Sequence, residues 1–139
     1  MFEKMLRDNH LKITPQRLAI LKEIQKFGHI SIDEIYENIK GSNPSMSLAT
    51  VYKNLTFMQE AKIIDEVRLP NQKQRYELVK NPHIHLVCEK CGGITDMELT
   101  SPVEQLREAC ADVSHFKIKE ASIAMLGVCP KCQDQSAAV

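Results

Sequence analysis

What this sequence lacks narrows it first. No run of apolar residues approaches the roughly 18 needed to cross a bilayer, which excludes a transmembrane helix and a membrane partner. There is no signal-peptide pattern, so a cytoplasmic chain is expected. Tryptophan is absent, yet hydrophobic residues make up 43%, a level that fits a folded soluble protein. Internal repeats are absent too. Net charge is zero, with 18 Lys/Arg against 18 Asp/Glu, but the balance is uneven along the chain. Residues 1–80 carry 13 basic against 10 acidic side chains, and residues 81–139 carry 5 against 8. A mildly basic front half and an acidic back half fit a nucleic-acid-binding head on a ligand-binding body. At 139 residues the chain can form one domain or two small ones. Neither half alone has much core, so a zinc staple or a dimer partner is a natural support.

What is present in quantity is metal-ligand chemistry. Four of the 5 cysteines fall in two C-x-x-C pairs, Cys88/Cys91 and Cys129/Cys132. Gly92 and Gly93 close the first pair, as in a knuckle whose two thiolates grip one ion. Structural Zn(II) in a reducing compartment is the expected reading; a disulfide framework and a redox dithiol are the alternatives. The odd count and missing secretion signal argue against the first, and the two spaced pairs against the second. Cys110 is expected to be a small buried hydrophobe on a helix. His83 and His85 stand two apart, so a β-strand would point both to one face, with Asp96 on the next strand. They form a ligand cluster or are merely half-exposed strand positions.

The front half reads as helices followed by a hairpin. A first helix is expected from Glu3 to Asn9. Thr14 caps a second, with Pro15 at its first position, which runs to Phe27 and ends at Gly28. Ser31 and Glu34 form a capping box for a third, with Ile35 and Ile39 on its inner face. Ser47 caps a fourth, SLATVYKNLTFMQEAKI, with Leu48, Val51, Leu55 and Met58 as its core stripe. IIDEVRL and KQRYELV flank a turn at Pro70–Asn71. That order is a winged helix-turn-helix. Pro82 marks the boundary, giving a winged-helix domain over 1–80, a hinge at 81–82 and an α/β domain over 83–139. In the second domain strands are expected over His83–Cys88 and Ile94–Leu99. A helix capped by Ser101 with Pro102 at its first position follows. Phe116 to Val128 reads as one long or broken strand, and the tail from Asp134 as frayed.

A winged helix puts its second helix-turn-helix element in the major groove. Ser47 and Thr50 can donate to phosphate, Tyr52 can touch a thymine methyl, and Lys53 and Asn54 supply charge and a base-edge amide. Lys12 and Arg17 flank the preceding helix and could reach the backbone or a minor groove. The alternative is a helix for protein interaction with ordinary solvated polar residues.

The segments ITPQRLAIL (13–21), HISIDEIY (29–36), SLATVYKNL (47–55), RYEL (75–78), HIHLVCEKCGGITD (83–96) and GVCPKC (127–132) together resemble the ferric uptake regulator (Fur) family of metal-dependent bacterial repressors. They occur in family order and span nearly the whole chain. The resemblance implies a homodimer whose winged helices bind an A/T-rich inverted repeat of double-stranded DNA. It implies structural Zn(II) on Cys88, Cys91, Cys129 and Cys132. It also implies a regulatory site on His29, Glu77, His83, His85 and Asp96, drawn from both domains. Three imidazoles and two carboxylates suit Fe(II), Mn(II) or Zn(II), whereas four thiolates favour zinc.

The branch is less uniform. Asp96 resembles the peroxide-sensing members, where iron sensors usually carry Glu; Glu77 resembles the iron sensors. The acid and the histidine of an extra site found in many iron sensors are replaced here by Ile84 and Ala121, although Glu104 matches that site's helix acid. A peroxide-responsive repressor is the favoured expectation, its targets for oxidation being His29 and His83, and an iron-responsive repressor or a zinc or manganese sensor is the alternative. A metalloenzyme around His83, His85 and Asp96 is a distant rival, because no separate acid/base set accompanies them. A C-x-x-C redox switch is a third.

Overall fold

The computed structural model describes residues 1–69 and 72–137, in two compact units, Met1–Val79 and Lys80–Val139.

The first unit contains α1 (Phe2–Asp8), α2 (Pro15–Phe27), β1 (Ile30–Ser31), α3 (Ile32–Ile39), α4 (Leu48–Glu60), β2 (Ile64–Val67) and β3 (Arg75–Leu78). Three of its helices start on a side-chain cap. The hydroxyls of Thr14, Ser31 and Ser47 accept from the amides of Arg17, Glu34 and Thr50 at 3.2, 3.2 and 3.1 Å. Each such cap stabilises its helix by about 1 kcal/mol. Gly28, at φ 77°, stops α2 in a conformation other residues resist. The apolar periodicity then places Leu6, Ile20, Leu21, Ile24, Ile30, Ile35, Val51, Leu55, Met58 and Ile64 in one core, all essentially without solvent contact. The strands form an antiparallel sheet in the order β1-β3-β2. This is a winged helix, with β2 and β3 as the wing.

Three expectations are corrected here. Leu48 is 42% exposed rather than part of the core stripe, because it lies in the first turn of α4, beyond the packed face. That helix ends at Glu60, where Lys62 adopts a positive φ of 61° and turns the chain into β2. Two residues, Ile30 and Ser31, add a short third strand, and Ser31 serves as both strand and cap. The expected turn at Pro70–Asn71 lies outside the described residues.

The second unit contains β4 (His83–Cys88), β5 (Ile94–Glu98), α5 (Thr100–Ser114), β6 (Ala124–Gly127) and α6 (Pro130–Ala137). Its sheet has the order β5-β4-β6, with β4 antiparallel to β5 and parallel to β6. The apolar side chains buried in it, among the described residues, are Ile84, Val87, Cys88, Val103 and Cys132. So few side chains supply little of the burial that offsets chain entropy, and this unit needs help from a metal or a partner.

The structure departs from the sequence reading in four places. The helix begins at Thr100 after Leu99, with no side-chain cap, rather than at Pro102 after a Ser101 cap, and Pro102 sits in its first turn, where a missing N–H costs nothing. The long strand over Phe116–Val128 shortens to four residues, since β4 offers parallel pairing only from His85 to Cys88. The tail carries the helix α6 through Ala137 instead of fraying after Asp134. Cys110 is exposed, not buried: α5 buries only Val103, leaving Leu106 and Val113 open as well.

Candidate metal sites and nucleic-acid face

Cys88 ends β4 and Cys129 follows β6 by two residues. Because these neighbouring strands run parallel, both C-x-x-C pairs emerge at one end of the sheet. The four sulfurs all lie within 4.8 Å of one another, and Cys91 Sγ is 3.8 Å from Cys129 Sγ. A disulfide would bring two sulfurs to about 2.05 Å. Tetrahedral zinc, with Zn–S near 2.3 Å, holds its sulfurs roughly 3.8 Å apart. The spacing fits the ion and not the bond.

The knuckle backbone supports the same chemistry. The amides of Cys129 and Cys91 donate to Cys88 Sγ at 3.4 and 3.5 Å, and the amide of Gly93 donates to Cys91 Sγ at 3.4 Å. The two donors on Cys88, that of Cys129 above all, pull its thiol down to about 6 from an ordinary 9. Cys132 is pushed up to about 12, first by its hydrogen bond with Cys129 and then by burial. A divalent cation reverses this arrangement by letting all four sulfurs hold charge together. Gly92 takes φ 74°, and a Cβ on Gly93 would stand 3.3 Å from Cys91 Sγ.

In the first unit, strand register brings a histidine to a carboxylate. Ile30 pairs with Tyr76 in antiparallel register, so His29, one residue earlier, falls opposite Glu77. His29 Nε2 lies 3.1 Å from Glu77 Oε2, with Glu77 buried and His29 half-buried.

In the second unit, β4 and β5 place His83 opposite Glu98 and His85 opposite Asp96 on one face. His83 Nδ1 is 2.9 Å from the Asn81 carbonyl, which can only accept; the proton therefore sits on Nδ1 and Nε2 carries the lone pair. That is the tautomer a metal-ligating imidazole adopts. The Nε2 atoms of His83 and His85 stand 3.1 Å apart, and His85 Nε2 is 3.6 Å from Asp96 Oδ1. Two imidazoles and a carboxylate thus converge, a donor set that suits a borderline cation. Lys80 forms an ion pair with Asp96, and the Asn81 amide donates to Glu98 Oε1 at 2.7 Å. Sequence reasoning placed a hinge at 81–82 but assigned neither Lys80 nor Asn81 a partner in the site, since no periodicity or motif marks such contacts in a connecting segment.

The first unit's outer face carries the remaining candidates. Lys12, Ser47, Tyr52 and Lys53 are exposed, and Thr50 is half-buried. Tyr52 and Leu48 line an open apolar cleft of about 460 Å³ with Ile32 and Ala49. Arg17 and Asn54 are half-buried and bonded to each other, Arg17 Nε donating to Asn54 Oδ1 at 3.1 Å. Sequence spacing of 37 residues gave no sign of that pair.

Residues 8–126 match the sequence profile of the ferric uptake regulator family. The chain belongs to that family. Among family members, a peroxide operon regulator of Bacillus subtilis is 34% identical over 128 residues, covering 91% of this chain and 88% of that protein. The crystal structure of a Campylobacter jejuni peroxide stress regulator superposes with a TM-score of 0.74 at 39% identity, covering 95% of this chain and 99% of that one. A ferric uptake regulator of Vibrio cholerae gives 0.72 at 30% identity, covering 93% and 100%. Both carry the family fold, and this chain shares it over nearly its whole length.

Proposed function

We propose that the chain is a metal-dependent DNA-binding transcriptional repressor, peroxide-responsive in type, and not an enzyme. The observation that carries this reading is the pairing of a winged helix with two sets of converging imidazole and carboxylate donors in a family of regulators. Zn(II) on Cys88, Cys91, Cys129 and Cys132 has a structural role. The knuckle amides help hold those sulfurs, and the sensing role is assigned to the other site.

The regulatory ion, Fe(II) or Mn(II) with Zn(II) also accommodated, is assigned to His29, Glu77, His83, His85 and Asp96. The donors fit: the Nε2 atoms of His83 and His85 converge at 3.1 Å, and Glu77 and Asp96 balance a dication's charge. Two of these ligands belong to the first unit and three to the second, so occupancy bears on both. When bound, Fe(II) would activate hydrogen peroxide so that one peroxide oxygen is transferred to an adjacent imidazole and the other leaves as water, with His29 and His83 as the assigned targets. The protein's own part is to hold His83 in the ligating tautomer and to lose both rings as ligands once they are oxidised. DNA release follows.

The DNA partner is assigned as an A/T-rich inverted repeat, bound by a homodimer. Tyr52 and the apolar cleft beside it suit thymine methyls. For the dimer, all four residues of β6 are exposed on an edge strand, and Phe116, Met125 and Leu126 are 73%, 54% and 50% exposed. Apolar surface of that kind is covered by a partner in regulators that pair. No helix among the described residues is long and apolar enough to cross a membrane; a cytoplasmic location is part of this proposal.

Two measurements test the reading. Operator binding should require a divalent ion and be lost in His83→Ala or His85→Ala; unchanged tight binding by zinc-stapled protein without regulatory metal refutes it. Anaerobic Fe(II) protein given sub-stoichiometric peroxide should gain one oxygen on the peptides holding His29 or His83. No mass gain, with binding still governed by iron, selects the iron-responsive reading that Glu77 favours.

A further inference from the structure

Arg17 was expected to reach DNA, but its side chain is committed elsewhere. It occupies the third position of α2, whose N-cap is Thr14. Its Nη1 donates to the Lys12 carbonyl at 2.8 Å, in the connection between α1 and α2. Nε donates to Asn54 Oδ1 at 3.1 Å, on α4. The guanidinium carbon lies 5.6 Å from the centre of the Phe57 ring, one turn further along α4. Asn54 has no freedom left either: its Nδ2 donates to the Thr50 carbonyl at 3.0 Å. The amide is gripped at both ends. Lys53 shares the same aromatic ring from 6.0 Å, so the ring spaces two cations that would otherwise repel.

We propose that Arg17 is a positioning residue that fixes the Lys12 connection to the reader helix α4, so that both meet one duplex in register. This rests on the repressor reading above. Only the guanidinium can do it, because three fixed points in different directions need a planar fork. A lysine keeps the charge but reaches one point at a time. Asn54 is then the other half of the clamp rather than a reader of base edges, and specificity is left to residues that remain open, such as Tyr52 and Lys53.

The experiment uses full-length protein with zinc retained and Mn(II) as regulatory ion. The probe is the duplex that this protein enriches from a random-sequence library, with a scrambled duplex as control. Affinity is measured across a salt series for wild type, Arg17→Lys, Arg17→Ala, Asn54→Ala and the double variant Arg17→Lys/Asn54→Ala. Loss of charge-assisted hydrogen bonds predicts that Arg17→Lys binds the selected duplex about tenfold more weakly or worse. Binding to the scrambled duplex and the salt slope should not change, and Asn54→Ala should add little once Arg17 is gone. A salt slope reduced by about 0.9 in Arg17→Ala would instead mark a phosphate contact and overturn the inference. Multiplying losses in the double variant would overturn it too, as would equal loss on both duplexes with a lowered melting temperature. If wild type enriches no duplex, the repressor reading itself falls; every other outcome judges Arg17 alone.

Discussion

Ser47 is the residue at which helix stability and DNA contact can be separated. Its hydroxyl accepts the Thr50 amide at 3.1 Å and shares a hydrogen bond of 2.9 Å with the Thr50 hydroxyl. Ser47→Ala removes the cap and should cost about 1 kcal/mol. In a unit of this size that lowers the melting temperature by roughly 4–8 °C. Ser47→Asp keeps an acceptor at the cap and adds a negative charge at the positive end of α4, so stability should match wild type. If the start of α4 lies at the DNA backbone as proposed, the same carboxylate faces a phosphate. At about 5 Å in water that repulsion is roughly 0.8 kcal/mol, about fourfold per helix and about sixteenfold for two helices on one operator. Circular dichroism reads the first effect and fluorescence anisotropy on a labelled duplex reads the second. Ser47→Asp melting as early as Ser47→Ala would refute the cap. Wild-type affinity in Ser47→Asp would refute placing the start of α4 at the phosphates.

Other outcomes follow from the same geometry. Cys132→Ser should lose the structural zinc and unfold the second unit, since a structural site supplies on the order of 10 kcal/mol and few apolar side chains are buried there; retention of one zinc per chain by elemental analysis would contradict this. Cys88 is drawn down to about 6 from an ordinary 9, so its thiolate is present above that range and lost as pH falls through about 6. Proton competition at Cys88 should therefore weaken zinc binding further below about pH 6, adding to that already present at Cys132, and a zinc affinity that does not change with pH would count against the ligand. Gly93→Ala should loosen zinc without abolishing it, because its Cβ would crowd Cys91 Sγ at 3.3 Å, a distance the sulfur must yield. Leu55→Ala, at a position 1% exposed, should cost about 2–5 kcal/mol in urea denaturation of the first unit.

The first unit was largely legible because its signals are local. A cap such as Ser31 and the amide it serves lie three residues apart, and the stripe Val51, Leu55, Met58 repeats within one helix. The cysteine pairs and the His83/His85 pair were legible by motif, His29 and Glu77 only through the family resemblance, and strand register then explained the closeness of His29 to Glu77. What stayed hidden depends on partners distant in sequence. The extent of β6 is set by where β4 offers hydrogen bonds, which Ile118 and Ser122 cannot announce. Leu48 and Cys110 carry apolar side chains at helical spacing, yet the packing of the described residues leaves both exposed. The Arg17–Asn54 bond joins two helices whose approach no local pattern encodes.

The two parallel strands that bring both cysteine pairs to one end of the sheet also decide how the chain comes apart. Between α5 and β6 runs a stretch without regular structure, residues 115–123, which contains the exposed Lys117 and Lys119. Cys88 and Cys91 precede it, and Cys129 and Cys132 follow it. A single tryptic cut there would break the backbone yet leave both fragments buckled by one ion and by the pairing of β4 with β6. The nicked protein should travel as one body until a chelator opens the buckle.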